Sequence, residues 1–280
     1  MTQIIGFSGK KQSGKNTCCN FIVMLKLIEN GVCRKAKLGD DGLVYVSDVF
    51  GESSTGEEYM PFKQPHVHVD TLLNDMGEVK IYAMADGLKE IAMNYFGLSY
   101  ESVYGTDEQK NQVQEHLLWE NMPGVCTNEK FFKFMQSKME HELAEDEEDA
   151  GYKLIYHAAG PMTAREFLQF FGTDIMRKMF EDVWVTSCMS RIKKEKPKIA
   201  LICDVRFDNE FAAIHKEGGI TLGLTKDIRS GDNHSSENVD IDKASKIINN
   251  HNISIKEQNR LIYLALKELN CKNLTDLEKV

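Results

Sequence analysis

Gln3-Ile4-Ile5-Gly6-Phe7-Ser8-Gly9-Lys10-Lys11-Gln12-Ser13-Gly14-Lys15-Asn16-Thr17 stands almost at the start of the chain, and its reading decides the fold. An apolar run of high β-propensity ends at Ser8. A glycine-bounded loop follows, and then Phe21, Ile22, Leu25 and Ile28 recur at helical spacing. Strand, loop and helix in this order are the setting of a phosphate-binding P-loop. Gly9 and Gly14 allow backbone angles that turn amide N–H groups inward as an anion nest. The helix behind them starts with a positive dipole end, and Lys15 adds a charge that can reach the outer phosphates of a nucleoside triphosphate. The position after Lys15 is Asn16, and the hydroxyl comes one residue later, at Thr17.

Beyond the first helix the texture changes. From about 33 to 77 the chain reads as a β-rich insertion, with short strands at Leu43–Val46 and Val67–Val69 around a polar loop. A strand at Val79–Met84 and a helix capped by Asp86 and stopped by Gly97 restore the alternation. Tyr104–Lys110 reads as a turn into a polar helix, and Phe131–Leu143 as a helix running into an acidic stretch. Thr163 and Glu166 have capping-box spacing and open a helix that Gly172 is expected to close, with Asp174 starting another. Val183–Ile192 carries helical spacing. Lys198–Cys203 is a continuous apolar run ending in Asp204, the mark of a strand buried on both faces of a parallel sheet. Asp208 is read as the cap of the next helix, Ile220–Leu224 and Lys246–Ile248 as strands, and Ser254 with Glu257 as the start of a final helix. Strands alternating with helices imply an α/β fold, a central parallel sheet flanked by helices in three layers. The expected organisation is a single domain over 1–280, with the insertion at 33–77 and a second, helical and acidic one at about 122–156.

Composition narrows the function classes. The 280 residues are 42% hydrophobic and 28% charged, and no apolar run reaches the ~18 residues that span a bilayer. The N-terminus lacks the pattern of a secretory signal. The seven cysteines make no C-x-x-C pair, which fits reduced thiols. Cys18 and Cys19, on the first helix, include at least one core residue by expectation. His66 and His68 alternate as along a strand face and are read as solvated. The net charge of −9 comes largely from Glu140–Asp149, which holds seven acidic residues and no basic one. Without it the balance is about −2, and no basic tract suits a nucleic-acid backbone.

Three polar stretches fall at the carboxyl ends of expected parallel strands, where ligands of such sheets bind. They are the P-loop, Asp204-Val205-Arg206, and the loop Thr225–Asp242 with Arg229, Asp232, His234, Ser235 and Ser236. Thr17, with or without Asn16, can orient Mg²⁺ directly or through water. Asp204 can act as a metal-side carboxylate, hold Arg206, or bind a substrate hydroxyl. Arg165, Arg177 and Arg206 are candidate phosphate clamps, because forked guanidinium donors match two oxygens at once. Lys89, a cation in the first turn of its helix, calls for a negative neighbour such as phosphate, or else is solvated.

Several motifs carry a family resemblance. Arg165-Glu166-Phe167-Leu168-Gln169-Phe170-Phe171-Gly172-Thr173-Asp174 with Trp184, then Asp204-Val205-Arg206-Phe207-Asp208-Asn209-Glu210, then His234-Ser235-Ser236-Glu237 and Ile247-Ile248-Asn249-Asn250 follow the P-loop in order. Together they resemble the deoxynucleoside monophosphate kinases of tailed bacteriophages, and the G-K-x-T form of the loop is common among nucleoside monophosphate kinases. The resemblance implies a P-loop kinase-like fold with a helical substrate-binding region, and transfer of the ATP γ-phosphate to a deoxynucleoside monophosphate with Mg²⁺. By the same resemblance Lys11, Gln12, Gly14, Lys15, Asn16 and Thr17 bind ATP, with Thr17 on the Mg²⁺. Leu88, Lys89, Lys110, Arg165, Gly172, Thr173, Trp184, Asp204, Arg206 and Glu210 form the monophosphate pocket. Lys15, Arg165 and Arg206 are the catalytic group, Arg229 a lid finger, and Trp184 a base-stacking wall or, on its own, a core tryptophan. Lys110 stands where the family often has arginine, and Gln12 where it is often basic. The implied setting is the cytoplasm of an infected host cell, with small nucleotides as partners, no nucleic acid or membrane, and a homodimer left open. Two alternatives stay open: another small-molecule P-loop kinase, such as one acting on dephospho-coenzyme A, and a non-catalytic ATP-binding module.

Overall fold

The structure is a computed structural model that describes residues 2–49, 60–61, 77–127, 155–226 and 240–274. The expected strand at Val67–Val69, His66 and His68, the helix at Phe131–Leu143, the acidic run, and Arg229 with its loop neighbours lie outside the described residues. The chain divides into two units, Met1–Asp86 with Trp184–Val280, and Gly87–Val183.

In the first unit, the parallel sheet is built from β1 (Gln3–Ser8), β5 (Val79–Tyr82), β10 (Ile199–Val205), β11 (Ile220–Leu224) and β12 (Lys246–Ile248). Their order is β12-β11-β1-β10-β5, and every neighbouring pair is parallel. Period-two alternation sorts their side chains into two cores. Ile5, Phe7, Ile199, Leu201 and Leu222 face α1 (Lys15–Glu29) and α8 (Ile255–Glu268). Ile4, Tyr82, Ala200, Ile202 and Val205 face α6 (Val183–Glu195) and α7 (Asp208–Lys216). A sheet covered on both faces is the expected three-layer α/β arrangement, and it explains why Ile199–Ile202 reads as an unbroken apolar run. Cys18 and Cys19 are both fully buried in the first core.

Between α1 and β5 the chain forms an antiparallel hairpin, β2 (Cys33–Leu38) and β3 (Val44–Val49), with the short β4 (Met60–Pro61) on its edge. The strand expected at Leu43–Val46 is present as β3, but its partner β2 was not expected, since Arg34, Lys35 and Lys37 hide its pattern. Val44 and Val46 drop into the core beside α1.

The second unit contains most of α2 (Asp86–Phe96), then α3 (Tyr100–Tyr104), α4 (Asp107–Lys110), β6 (Val113–Leu118), β7 (Val125–Cys126), β8 (Ile155–Tyr156), β9 (Pro161–Thr163) and α5 (Ala164–Gln169). Its core gathers Ala92, Leu98, Val103, Leu117, Trp119, Met162, Phe167 and Phe170. The Phe167 and Phe171 rings stack with centroids 5.4 Å apart. β6, which pairs with β9, was not legible: only Leu117 of its six residues is buried, so no alternation of apolar residues marks it.

Three helix boundaries differ from expectation. Gly172 does not close the helix begun at Ala164, and Asp174 does not start another; the chain continues through Phe170–Arg177 as a π-helical segment. The reason is packing. A Cβ on Gly172 would lie 2.6 Å from Leu88 Cδ2, so the glycine serves a close approach and not a stop. Asp86 is the first residue of α2 rather than its cap, and its carboxylate accepts the Ala83 N–H (2.9 Å) and pairs with Arg191 (3.3 Å). Asp208 likewise lies inside α7, where it pairs with Lys243. The first capping box forms in full, with Thr163 Oγ1 accepting the Glu166 N–H while Glu166 accepts that of Thr163. At α8 Ser254 accepts the Glu257 N–H, but the Glu257 carboxylate pairs with Arg260 instead of closing a box.

Candidate active site

The loop between β1 and α1 has the geometry its glycines foretold. Gly9 and Gly14 have φ of 145° and 96°, and Gln12, without that freedom, stands at 60°. Gly14 caps α1 with no side-chain acceptor, and the first turn holds no acidic residue. The helix therefore presents its positive end without an acidic side chain of its own first turn to neutralise it, which suits an anion. Lys15 Nζ donates to the carbonyls of Gly9 (2.6 Å) and Lys10 (2.7 Å), which draws the ammonium into the loop it belongs to. The half-buried Thr17 lies in the first turn of α1.

The loop's floor comes from the far end of the sequence. Asn250 Nδ2 donates to the Ser13 carbonyl and to Gln258 Oε1, both at 2.8 Å, and Asn250 Oδ1 accepts the Lys226 N–H at 2.8 Å. Gln258 Nε2 reaches Cys18 Sγ at 3.3 Å; burial pushes that thiol up to about 12. Asn250 and Gln258 are buried. Neither was assigned a role from sequence, although Gln258 stands on the apolar stripe of its helix beside Ile255 and Ile262, the signal by which it could have been found.

At the end of β10, which runs one residue past Asp204, the strand meets β5 through a carboxylate. Asp204 Oδ1 accepts the Met84 N–H at 2.7 Å, and Oδ2 that of Ala85 at 3.4 Å. Six residues on, Glu210 Oε2 accepts the N–H groups of Arg206 (2.7 Å) and Phe207 (3.1 Å) from a site only 1% exposed. That carboxylate is the true cap of α7, and it shapes the turn that carries Arg206. Replacing Glu210 with Ala leaves two N–H groups of a half-buried turn without their acceptor, so we expect a loss of about 1–2 kcal/mol. Urea unfolding should read this as a lower midpoint at unchanged slope.

Of the sequence-derived positions in the second unit, Leu88 and Gly172 meet directly, while Arg165 and Lys89 are held by other neighbours. Arg165 Nη2 bonds Asp107 Oδ1 at 2.6 Å, and its Nε bonds Asn111 Oδ1 at 2.8 Å. Lys110 closes the short helix that Asp107 opens, and Thr106 caps that helix. Lys89 Nζ lies 4.2 Å from the centroid of the Tyr104 ring, a cation–π contact that answers its place near a helix start. Leu88 packs on Gly172, and Thr173 follows in the same π-helical segment. Arg177 closes that segment. Trp184 belongs to the first unit and is 3% exposed.

Among the described residues no group of three or more His, Cys, Asp or Glu is arranged to hold a metal. The hydroxyl of Thr17 is a hard oxygen donor of the kind that a Mg²⁺ carried on phosphates and keeping several waters takes, while both carboxylate oxygens of Asp204 accept backbone N–H groups. Among the same residues no helix is long and apolar enough to cross a membrane.

A glycine-bounded phosphate loop leading from the central strand of a three-layer parallel sheet defines a P-loop protein of the kinase-like class. Residues 105–260, more than half of the chain, match the deoxynucleotide monophosphate kinase family, and the chain belongs to that family. The matched stretch contains Lys110, Arg165, Gly172, Thr173, Trp184, Asp204, Arg206 and Glu210. The chain is also similar to the deoxynucleoside-5'-monophosphate kinase of Escherichia phage T5, at 35% identity over 69 residues. That match spans 24% of this chain and a quarter of the relative's length.

Proposed function

We propose that the protein transfers the γ-phosphate of ATP to a deoxynucleoside 5′-monophosphate, giving ADP and the deoxynucleoside diphosphate. The observation that carries this reading is the family match over the acceptor-side residues, joined to a P-loop whose lysine is drawn into its own anion nest. Phosphoryl transfer asks mainly for positioning and charge. An oxygen of the acceptor phosphate attacks the γ-phosphorus, the bond from that phosphorus to the β–γ bridging oxygen breaks, and ADP leaves with the electron pair.

In this reading Lys11, Gln12, Gly14, Lys15, Asn16 and Thr17 hold ATP, and Lys15 neutralises charge on the transferring group. Thr17, directly or through water, would hold Mg²⁺, which supplies further neutralisation of the phosphate oxygens when bound, and Asp204 and Glu210 belong with the monophosphate pocket. Lys89, Lys110 and Arg165, with Leu88, Gly172 and Thr173, bind the monophosphate. Arg206 clamps phosphate from the turn that Glu210 shapes, and Trp184 bounds the base. The similarity to a phage kinase supports work on free nucleotides in the cytoplasm of an infected host cell.

A coupled ADP-release assay across ribo- and deoxynucleoside monophosphates tests the reading. Turnover should depend on an added deoxynucleoside monophosphate. Slow ATP hydrolysis indifferent to every monophosphate would instead mark an ATP-binding module and end the kinase proposal.

A further inference from the structure

We propose that the β2–β3 hairpin is a working part of the ATP site, with Gly42 and Asn20 as positioning residues for the side chain of Thr17. This rests on the kinase reading only in assigning Thr17 to the nucleotide; the geometry stands apart from it.

The turn of the hairpin is built to be stiff. Gly42 N–H donates to the Gly39 carbonyl and Gly39 N–H to that of Leu43, both at 2.9 Å. Asp41 accepts the Leu43 N–H at 2.9 Å and the Tyr45 hydroxyl at 2.8 Å, and those two donors hold its carboxyl below its ordinary range. Asn20, one helical turn after Thr17, ties this turn to α1 by donating to the Gly42 carbonyl at 2.9 Å.

The result is a wall. Gly42 is buried, and a Cβ on it would lie 2.4 Å from Thr17 Oγ1 and 3.3 Å from both Cβ and Cγ2. A threonine in a helix divides between two χ1 rotamers because its hydroxyl can turn back to an earlier carbonyl. A turn that leaves no room for even a Cβ beside the Thr17 hydroxyl removes part of that freedom before any ligand arrives. Rotamer freedom surrendered in advance is not lost on binding, so the hairpin raises affinity for ATP by preorganisation.

Gly31 gives an internal control. Its φ is 67°, close to the 75° of Gly42, yet a Cβ there meets nothing within 4 Å. Gly31→Ala therefore carries the backbone strain alone, and Gly42→Ala the same strain plus the clash with Thr17. ATP affinity would be measured with Mg²⁺ by isothermal titration, and KM for ATP and for the monophosphate by initial rates. Gly42→Ala should weaken ATP about tenfold relative to Gly31→Ala, with KM for the monophosphate unchanged. Asn20→Ala, which keeps the turn and cuts the tether, should shift affinity in the same direction by about threefold, and it carries the test if Gly42→Ala does not fold. Equal ATP affinity in the two glycine variants, equal rises in both KM values, or wild-type affinity in Asn20→Ala would overturn the proposal. Wild-type protein that binds ATP but phosphorylates no monophosphate would end the kinase reading while leaving the glycine comparison intact.

Discussion

Lys15→Met should give a folded protein whose monophosphate-dependent release of ADP is about 10²–10³-fold slower than wild type, the scale of removing one preorganised electrostatic stabiliser. Methionine keeps most of the length of the stem and removes the charge. Two effects then act together. The charge that would meet the γ-phosphate is gone, and so are the bonds from Nζ to the Gly9 and Lys10 carbonyls that draw the loop around the ammonium. The first lowers kcat, since it matters most when charge builds on the transferring group; the second raises KM for ATP, because the nest loses its internal tie. The fold should survive, since the loop rests on Asn250 and Gln258 and not on Lys15. Circular dichroism checks the fold, and initial rates at varied ATP separate the two effects. Turnover within a few-fold of wild type would remove the P-loop from the reaction.

Arg165→Lys should lower kcat/KM for the monophosphate by about 10–100-fold, the value of one or two charge-assisted hydrogen bonds, and leave KM for ATP almost unchanged. The guanidinium of Arg165 spends Nε on Asn111 and one Nη2 hydrogen on Asp107, and those bonds fix the plane of the fork. Lysine offers a single point of charge and cannot keep both bonds and the planar presentation. The pair with Asp107 lies between groups 22% and 45% exposed, so it adds little stability; its contribution is orientation. Asp107→Asn, which retains an acceptor and loses the charge, should act in the same direction and more weakly. Matched rises in KM for ATP and for the monophosphate with Arg165→Lys would contradict an acceptor role.

What was legible in the sequence follows from which interactions are local. The strand, loop and helix of residues 3–29 are read correctly because the apolar period changes at the glycines that make the loop. Ile199–Ile202 announces a strand covered on both faces, and Thr163 with Glu166 form their box within four residues. Gly172 was misread because a glycine that ends a helix and one that lets Leu88 approach look alike in one dimension. Asp208 was taken for a cap because it has the right chemistry one residue from the right place, while the cap in use is the buried Glu210. At the candidate site the charged residues were legible from motif and resemblance. Their holders were not: Asp107, Asn111, Asn250 and Gln258 act through bonds that span 54 to 240 positions of sequence.

The bond from Asn250 to the Ser13 carbonyl crosses 237 positions, and it separates the order of synthesis from the order of completion. The ribosome makes the phosphate loop 237 positions before the asparagine that supports it. A nascent chain thus carries the entire motif long before it can hold the loop in shape, and a partner so distant in sequence must wait for the intervening chain to order. On the kinase reading, nucleotide capture therefore waits for β12 and α8 to dock and does not follow from synthesis of the loop alone.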